Sequence, residues 1–271
     1  MRNKQTKVFA YLAKKILLLI AAGKEANMKP NLIQKTLSTI TIVALMLAVL
    51  ATLSRPVTSA AQTESVEERV AALKRSLAES QLRLKQYEWI ETTVVSLKGE
   101  EKSRKQNRCY YGADGVLQKV PVSASVTEDK KRGLRGRIAE HKKEELTEYM
   151  QQAVDLVKSY VPPTPARIQA VKDAGKVSVD LIEPGKRIRL NFRDYLKPRD
   201  TLGVELDPVN NRLLGLKVTT YLEDPQDSVD LDVRFGLLAD STSYPQQITL
   251  DAPAKEVQVT VENSGYRKLG N

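Results

Sequence analysis

The sequence predicts an α+β domain in which a strongly curved antiparallel sheet of about nine or ten strands forms an incomplete β-barrel under a helical lid. Apolar and charged residues alternate most clearly in residues 187–193 and 229–235, which is typical of an antiparallel sheet with one solvated face. Residues 66–84 and 146–157 instead carry apolar side chains close to the helical period. Short turn signals separate the strand-like segments, as in successive hairpins.

The first half of the predicted domain is one helix followed by a three-stranded meander. Ser65-Val66-Glu67-Glu68 matches a capping box, so a helix should begin there, and its apolar stripe should cover a sheet. Strands are predicted at 87–97, at about 103–111 and at 116–122. The loop 112–115 between the last two carries two glycines, which can adopt positive φ.

The second half is predicted to hold more helix and then only strands. Residues 128–160 return to a helical pattern, and residues 165–174 predict a short helix that is closed at Gly175. Helices inserted between two groups of strands are well placed to lie across the apolar concave face of the sheet. The remaining strands are predicted at 177–182, 187–196, 201–207, 212–222, 229–238, 246–250 and 256–261.

Residues 28–61 predict a secretory signal peptide. Lys29 and Lys35 precede the apolar run 40–53, which has the length of a signal h-region and is too short for a spanning helix. Ser59-Ala60-Ala61 fits the small-x-small rule, so cleavage is expected after Ala61, or alternatively after Ala60. Because the basic residue Arg55 follows the apolar run, the alternative interpretation is an uncleaved membrane anchor with the same orientation.

The signal peptide divides the chain into three regions. Residues 1–27 are interpreted as a start-site artefact, with an amphipathic extension as the alternative. Residues 62–271 are predicted to be a single half-barrel domain that is exported to the periplasm.

Composition argues against a nucleic-acid partner once the signal peptide is set aside. The chain has 43 Lys+Arg and 33 Asp+Glu. Residues 1–61 hold nine of the basic and one of the acidic side chains, so the remainder has a net charge of only +2. The single cysteine, Cys109, excludes an internal disulfide, and no cysteine near the cleavage region could be lipidated.

The sequence predicts no enzyme, no metal site and no cofactor. His141 is the only histidine and lies among charged residues of a polar helix face, while Cys109 is expected to be a sheltered thiol. The aspartates between Asp224 and Asp232 lack the glycine and terminal glutamate of an EF-hand loop. The basic run 130–137 is interpreted as a solvated loop, with anionic lipid headgroups or an acidic partner as alternatives.

Two segments carry a family resemblance: "YEWIETTVVSLKGEEKSRKQNRCYYGADGVLQK" (87–119) and "LDPVNNRLLGLKVTTYLEDPQDSVDLDVRFGLLADSTSYP" (206–245). They resemble uncharacterised exported bacterial proteins of the LolA/LolB-like superfamily, the outer-membrane lipoprotein-sorting proteins and their relatives. The similarity spans residues 63–269 and concerns the topology and the spacing of the hairpins, not a specific motif. It implies an unclosed barrel that binds acyl chains or hydrophobic peptides under its helices, or an envelope-stress sensor. The lipidated cysteine of the receptor is absent, which favours a soluble carrier or sensor.

These observations together predict a periplasmic, non-enzymatic binder of a hydrophobic ligand. The ligand would be a lipid, a lipoprotein acyl chain or a hydrophobic peptide in a cleft between sheet and helices, as in lipoprotein transport. A membrane surface or an envelope protein is a further predicted partner. The alternative is a structural, protein-interaction or stress-sensing domain with a filled core, and the third class considered is an unrecognised hydrolase. The residues predicted to line the cleft are Trp89, Ile188, Leu190, Phe192, Leu216, Val218, Leu231, Val233 and Phe235.

Overall fold

The structure is a computed structural model that describes residues 66–122 and 134–270. These ranges hold three α-helices: α1 (Val66–Leu84), α2 (Leu134–Val157) and α3 (Pro165–Asp173). A single 3₁₀ turn, Pro253–Lys255, precedes the last strand. The strands are β1 (Tyr87–Leu97), β2 (Glu100–Tyr111), β3 (Leu117–Pro121), β4 (Val177–Glu183), β5 (Arg187–Arg193), β6 (Thr201–Asp207), β7 (Arg212–Tyr221), β8 (Ser228–Leu237), β9 (Ser243–Ala252) and β10 (Val257–Lys268).

The ten strands form one antiparallel sheet in the order β3-β2-β1-β10-β9-β8-β7-β6-β5-β4. Neighbours in space are neighbours in sequence, except that β10 lies beside β1. The terminal strands β3 and β4 do not pair with each other, so the sheet is not closed. This arrangement confirms the predicted α+β class and the incomplete antiparallel barrel.

Alternation along the strands places one apolar face inward. In β5, Ile188, Leu190 and Phe192 are buried, whereas the residues between them are half-buried. The pairing registers place Leu190 opposite Val204, and Val204 opposite Leu216, so the apolar side chains of neighbouring strands share one face. The core therefore lies on one side of the sheet.

The three helices cover that apolar face. In α2, Met150, Ala153, Val154 and Val157 recur at the spacing of one helical face, and all four are buried in the core cluster. Leu73 of α1 joins the same cluster. From α3 and the segment before it, the cluster gains Tyr160, Val161, Ile168 and Val171. One continuous core thus joins sheet and helices.

The largest boundary difference is at the C-terminus, where β10 continues to Lys268 instead of ending at 261. The extension is polar and contains Gly265 with φ of +62°, so it lacks the apolar alternation of a strand. It forms because β1 supplies pairing partners as far as Tyr87, through an irregularity between Glu88 and Ile90. The predicted signal peptide, its cleavage site and the upstream extension lie outside the described residues, so the division into three regions stays a prediction.

Candidate functional site

The nine residues predicted to line a cleft lie in the core or at its border. Eight of them are at most 8% exposed, and Leu190, Phe192 and Val218 are completely buried. Phe235 is partly buried and packs against the same core cluster. None of the nine lines either of the two hollows described below. Their role in ligand binding stays a prediction.

Trp89 belongs to a group of aromatic side chains at the β2-β1-β10-β9 end of the sheet. Its ring stacks on Tyr266 with a centroid distance of 5.5 Å and lies 6.0 Å from Tyr111. Tyr244 is 4.4 Å from Tyr266. The indole Nε1 of Trp89 donates a hydrogen bond to Asn263 Oδ1 at 3.1 Å. These contacts satisfy the polar atom of the indole and make Trp89 part of a packed cluster.

A buried ion pair lies beside this aromatic group. Glu91 is fully buried and accepts hydrogen bonds from Lys119 Nζ at 2.5 Å and from Asn107 Nδ2 at 3.3 Å. Thr93 follows Glu91 by two residues on the same face of β1, and its Oγ1 is buried without a hydrogen-bond partner. A carboxylate in the interior is tolerated only with such partners, so Lys119 holds the charge of Glu91 in place.

Cys109 is fully buried opposite Trp89, as expected for a sheltered thiol. Burial, and next the charge of Glu91, raise the pKa of the Cys109 thiol to about 12. The thiolate is the nucleophilic form, so this side chain is inert at neutral pH. His141 and the basic run 130–137 lie outside the residues whose side chains are described.

The aspartates between Asp224 and Asp232 are engaged in separate local contacts. Asp227 Oδ1 accepts a hydrogen bond from the Tyr149 hydroxyl at 2.5 Å, and Asp230 Oδ1 accepts one from Thr219 Oγ1 at 2.8 Å. Asp224 Oδ1 accepts the backbone N–H of Gln226. Within the described ranges, no three His, Cys, Asp or Glu side chains are grouped closely enough to hold a metal ion.

A cleft opens between α1 and the sheet, next to the filled core. Its volume is about 340 Å³. Leucines form its apolar walls: Leu73 and Leu77 from α1, Leu213 from β7 and Leu237 from β8. Leu237 is 42% exposed, and Leu77 and Leu213 are half-buried, so the cleft offers apolar surface to a ligand. Polar residues complete its lining, namely Ser76, Asn210, Arg212, Ser241 and Ser243.

The charged part of the cleft is an internal ion pair. Arg212 Nη2 donates to Asp207 Oδ2 at 2.7 Å, and Asn210 Nδ2 donates to the same oxygen at 2.8 Å. Burial alone raises the pKa of the Asp207 carboxyl, but the hydrogen bonds from Arg212, Asn210 and the backbone N–H of Val209 and Asn210 lower it overall to about 2. Arg212 Nε is buried and lacks a hydrogen-bond partner. The paired charges leave this wall of the cleft close to neutral.

Hydrogen bonds fix α1 on the loop that borders the cleft. The Arg83 Nε donates to Thr242 Oγ1 at 3.0 Å, and the Ser80 hydroxyl accepts the backbone N–H of Ser243 at 3.0 Å. Both Ser80 and Thr242 are at most 2% exposed. The cleft is thus held between elements that are joined by buried polar contacts.

A second hollow, of about 450 Å³, is polar and lies at the start of β6. Lys176 and Asp194 pair across it at 2.9 Å, and hydrogen bonds from Lys176 and from the backbone of Arg199 lower the pKa of the Asp194 carboxyl. Asp200 also lines it, although its carboxylate is directed to buried donors. This hollow offers no apolar wall for a hydrophobic ligand.

Sequence reasoning missed the sheet side of the α1 cleft. Leu73 and Leu77 belong to the predicted apolar stripe of α1, but Arg212, Leu213 and Leu237 were not among the predicted ligand-lining residues. Leu213 lies where β7 pairs irregularly with β6, between Glu205 and Leu206. Simple alternation therefore gives no reliable signal at that position.

No protein-family model matches the sequence, and no curated protein matches it. Solved structures do show similarity. A DUF1329 family protein from Desulfovibrio piger is 9% identical, with a TM-score of 0.29, over 73% of this chain and 92% of that chain. A LolA superfamily protein from Nitrosomonas europaea is 11% identical, with a TM-score of 0.30, over 73% and 94%. A structure of MucB in complex with MucA(peri) is 10% identical, with a TM-score of 0.19, over 73% and 98%.

A LolA superfamily protein is among the solved structures that resemble this chain. In the part of the chain that the structure describes, no helix combines the length and the hydropathy needed to cross a membrane.

Proposed function

We propose that the protein is an exported, non-enzymatic binder of a small hydrophobic ligand, such as a lipid acyl chain, held in the cleft between α1 and the sheet. The observation that carries the proposal is the cleft itself. Leu73 and Leu77 face Leu213 and Leu237 across about 340 Å³, a volume at the small end of the range of ligand pockets.

The lining favours a ligand with an apolar body and a neutral polar end. The charge of Arg212 is matched by that of Asp207, so neither a free anion nor a free cation gains a strong partner there. Asn210 and the serines instead offer neutral hydrogen-bonding groups. Burying about six methylenes at about 0.8 kcal/mol each contributes about 5 kcal/mol to binding, and the loss of translational and rotational freedom on association offsets part of this gain.

Calorimetric titration with monooctanoylglycerol tests the site. Leu77→Arg places a charged side chain in the cleft and should abolish the binding heat. Leu82→Arg is the matched control, because Leu82 lies on the same helix, is 64% exposed and does not line the cleft. Leu237→Arg changes a partly exposed wall of the cleft, so a loss of binding in this variant cannot be attributed to misfolding of α1. Equal binding by all these variants and the wild type would show that the ligand does not occupy the cleft.

A second candidate function, a protein-interaction domain with a filled core, is favoured by the complete burial of Leu190, Phe192 and Val218. Leu190→Arg tests whether the core is solid at that position or opens for a ligand. Loss of the far-UV circular dichroism spectrum would support a solid core at that position. A folded variant that no longer binds monooctanoylglycerol would support a ligand site that opens between the helices and β5.

Export is part of the proposal and depends on the predicted signal peptide at residues 28–61. N-terminal sequencing of protein isolated from its own cells should begin at Gln62, or at Ala61 for the alternative cleavage site. A mature chain that still contains residues 40–53 would contradict cleavage. Native mass spectrometry of the same material should show a bound lipid.

A further inference from the structure

The two edge strands of the sheet differ in how they are protected from pairing. Within the described ranges, β3 and β4 each pair on one side only. Exposed strand edges favour association, and natural proteins protect them with short strands, lysine or proline. β3 has five residues and carries Lys119 and Pro121. β4 has seven residues with neither lysine nor proline, and it exposes Leu181 at 70% and Ile182 at 43%.

We propose that β4 pairs with β4 of a second copy of this chain, in an antiparallel arrangement about a two-fold axis centred on Val179. This axis is perpendicular to the sheet, so the core-facing sides of the two sheets lie on the same side of the joined sheet. Directly opposite residues of two paired strands point to the same face, so the two-fold axis must pass between one residue of β4 and the same residue of the partner.

The sequence of β4 is self-complementary in this register. A centre at Val179 places Val177 opposite Leu181, and Ser178 opposite Asp180. Val177 and Val179 already pack against the core cluster, so the exposed Leu181 would be covered by an apolar neighbour of the partner. Asp180 faces the other side, where it accepts a hydrogen bond from Asn191 Nδ2 at 2.8 Å. The serine opposite it carries no like charge.

The neighbouring registers are less favourable. A centre at Asp180 would place two aspartates directly opposite each other, and like charges in that position destabilise a strand pair. A centre at Ser178 would leave Leu181 and Ile182 beyond the paired segment. A centre at Leu181 would set Val179 against the charged Glu183. The register centred on Val179 therefore covers the most apolar surface without a charge conflict.

Sedimentation equilibrium over a range of concentrations tests the dimer. Leu181→Lys should weaken association at least tenfold, because it places a charge opposite Val177 of the partner. Val209→Lys is the matched control, since Val209 is 69% exposed and lies in the turn between β6 and β7. A wild type that sediments as a monomer throughout, or a dimer that Leu181→Lys leaves intact, would overturn the proposal.

Disulfide cross-linking tests the register. Opposite Cβ atoms in a strand pair lie close enough for a disulfide, so Val179→Cys should form a covalent dimer under mild oxidation. Leu181→Cys should not link to itself, because its partner in this register is Val177. Native Cys109 is fully buried and does not interfere. A Leu181→Cys dimer without a Val179→Cys dimer would refute the register, and neither result depends on ligand binding in the α1 cleft.

Discussion

Replacing Asp200 should cost more stability than replacing any surface aspartate, because its side chain organises the loop between β5 and β6. It is 1% exposed and accepts the Tyr160 hydroxyl at 2.6 Å. It also accepts the backbone N–H groups of Tyr195, Leu196 at 3.0 Å and Lys197 at 2.8 Å. One carboxylate thus joins the segment after α2 to the loop that leads into β6.

The magnitude follows from the donors that Asp200→Ala leaves unpaired. Each buried donor without a partner costs about 1–3 kcal/mol, and water entering the vacated space recovers part of that cost. Four donors lose their acceptor, so we expect a loss of about 4 kcal/mol in the free energy of unfolding. Tyr160→Phe removes the contacts of that hydroxyl with Asp200 and with Thr220, at 2.7 Å, and should cost about 1 kcal/mol.

Urea unfolding followed by far-UV circular dichroism measures both losses. With a denaturant slope of about 2 kcal/mol/M, the midpoint of Asp200→Ala should fall by about 2 M urea. Asp173→Ala, on the exposed surface of α3, is the control and should change the midpoint little. The reasoning is refuted if Asp200→Ala costs less than about 1 kcal/mol, or if its effect adds fully to that of Tyr160→Phe, since residues that share a hydrogen bond should couple.

Two further predictions concern buried charges. The folded-state pKa of Asp207 is about 2, below its ordinary value, so its contribution is present above pH 4 and is lost as pH falls towards 2. The stability difference between wild type and Asp207→Asn, from urea midpoints at several pH values, should therefore shrink by up to about 2 kcal/mol over that interval; a constant difference would contradict it. Lys119→Met leaves the Glu91 carboxylate buried without its cation and should cost about 3 kcal/mol, whereas adding Glu91→Gln should restore most of the loss. If the double variant is no more stable than Lys119→Met in thermal unfolding, the ion pair does not explain the cost.

Local sequence signals predicted most elements of this fold. β6 has its predicted bounds, 201–207, and Gly115 in the predicted loop 112–115 has a positive φ. Alternation in 187–193 identified the buried face of β5 correctly. These features depend on short-range periodicity and turn chemistry, which the sequence encodes directly.

The features that the sequence could not predict depend on long-range geometry. Nothing in residues 257–268 indicates that they pair with β1, and the polar end of β10 becomes a strand only through that partner. The pairing of Glu91 with Lys119 depends on the registers of both β1 with β2 and β2 with β3. The cleft depends on the position of α1 relative to Leu213, and no local sequence pattern specifies that position. Tertiary packing decides each of these outcomes.

The position of β10 has a consequence for biogenesis. The last strand that the structure describes, β10, lies in the middle of the sheet between β1 and β9 and contributes Val257, Val259 and Val261 to the core. Until β10 pairs, β1 to β3 form no strand pairs with β4 to β9. Non-local pairing of this kind slows folding, so the complete sheet forms only after residues 257–268 are available.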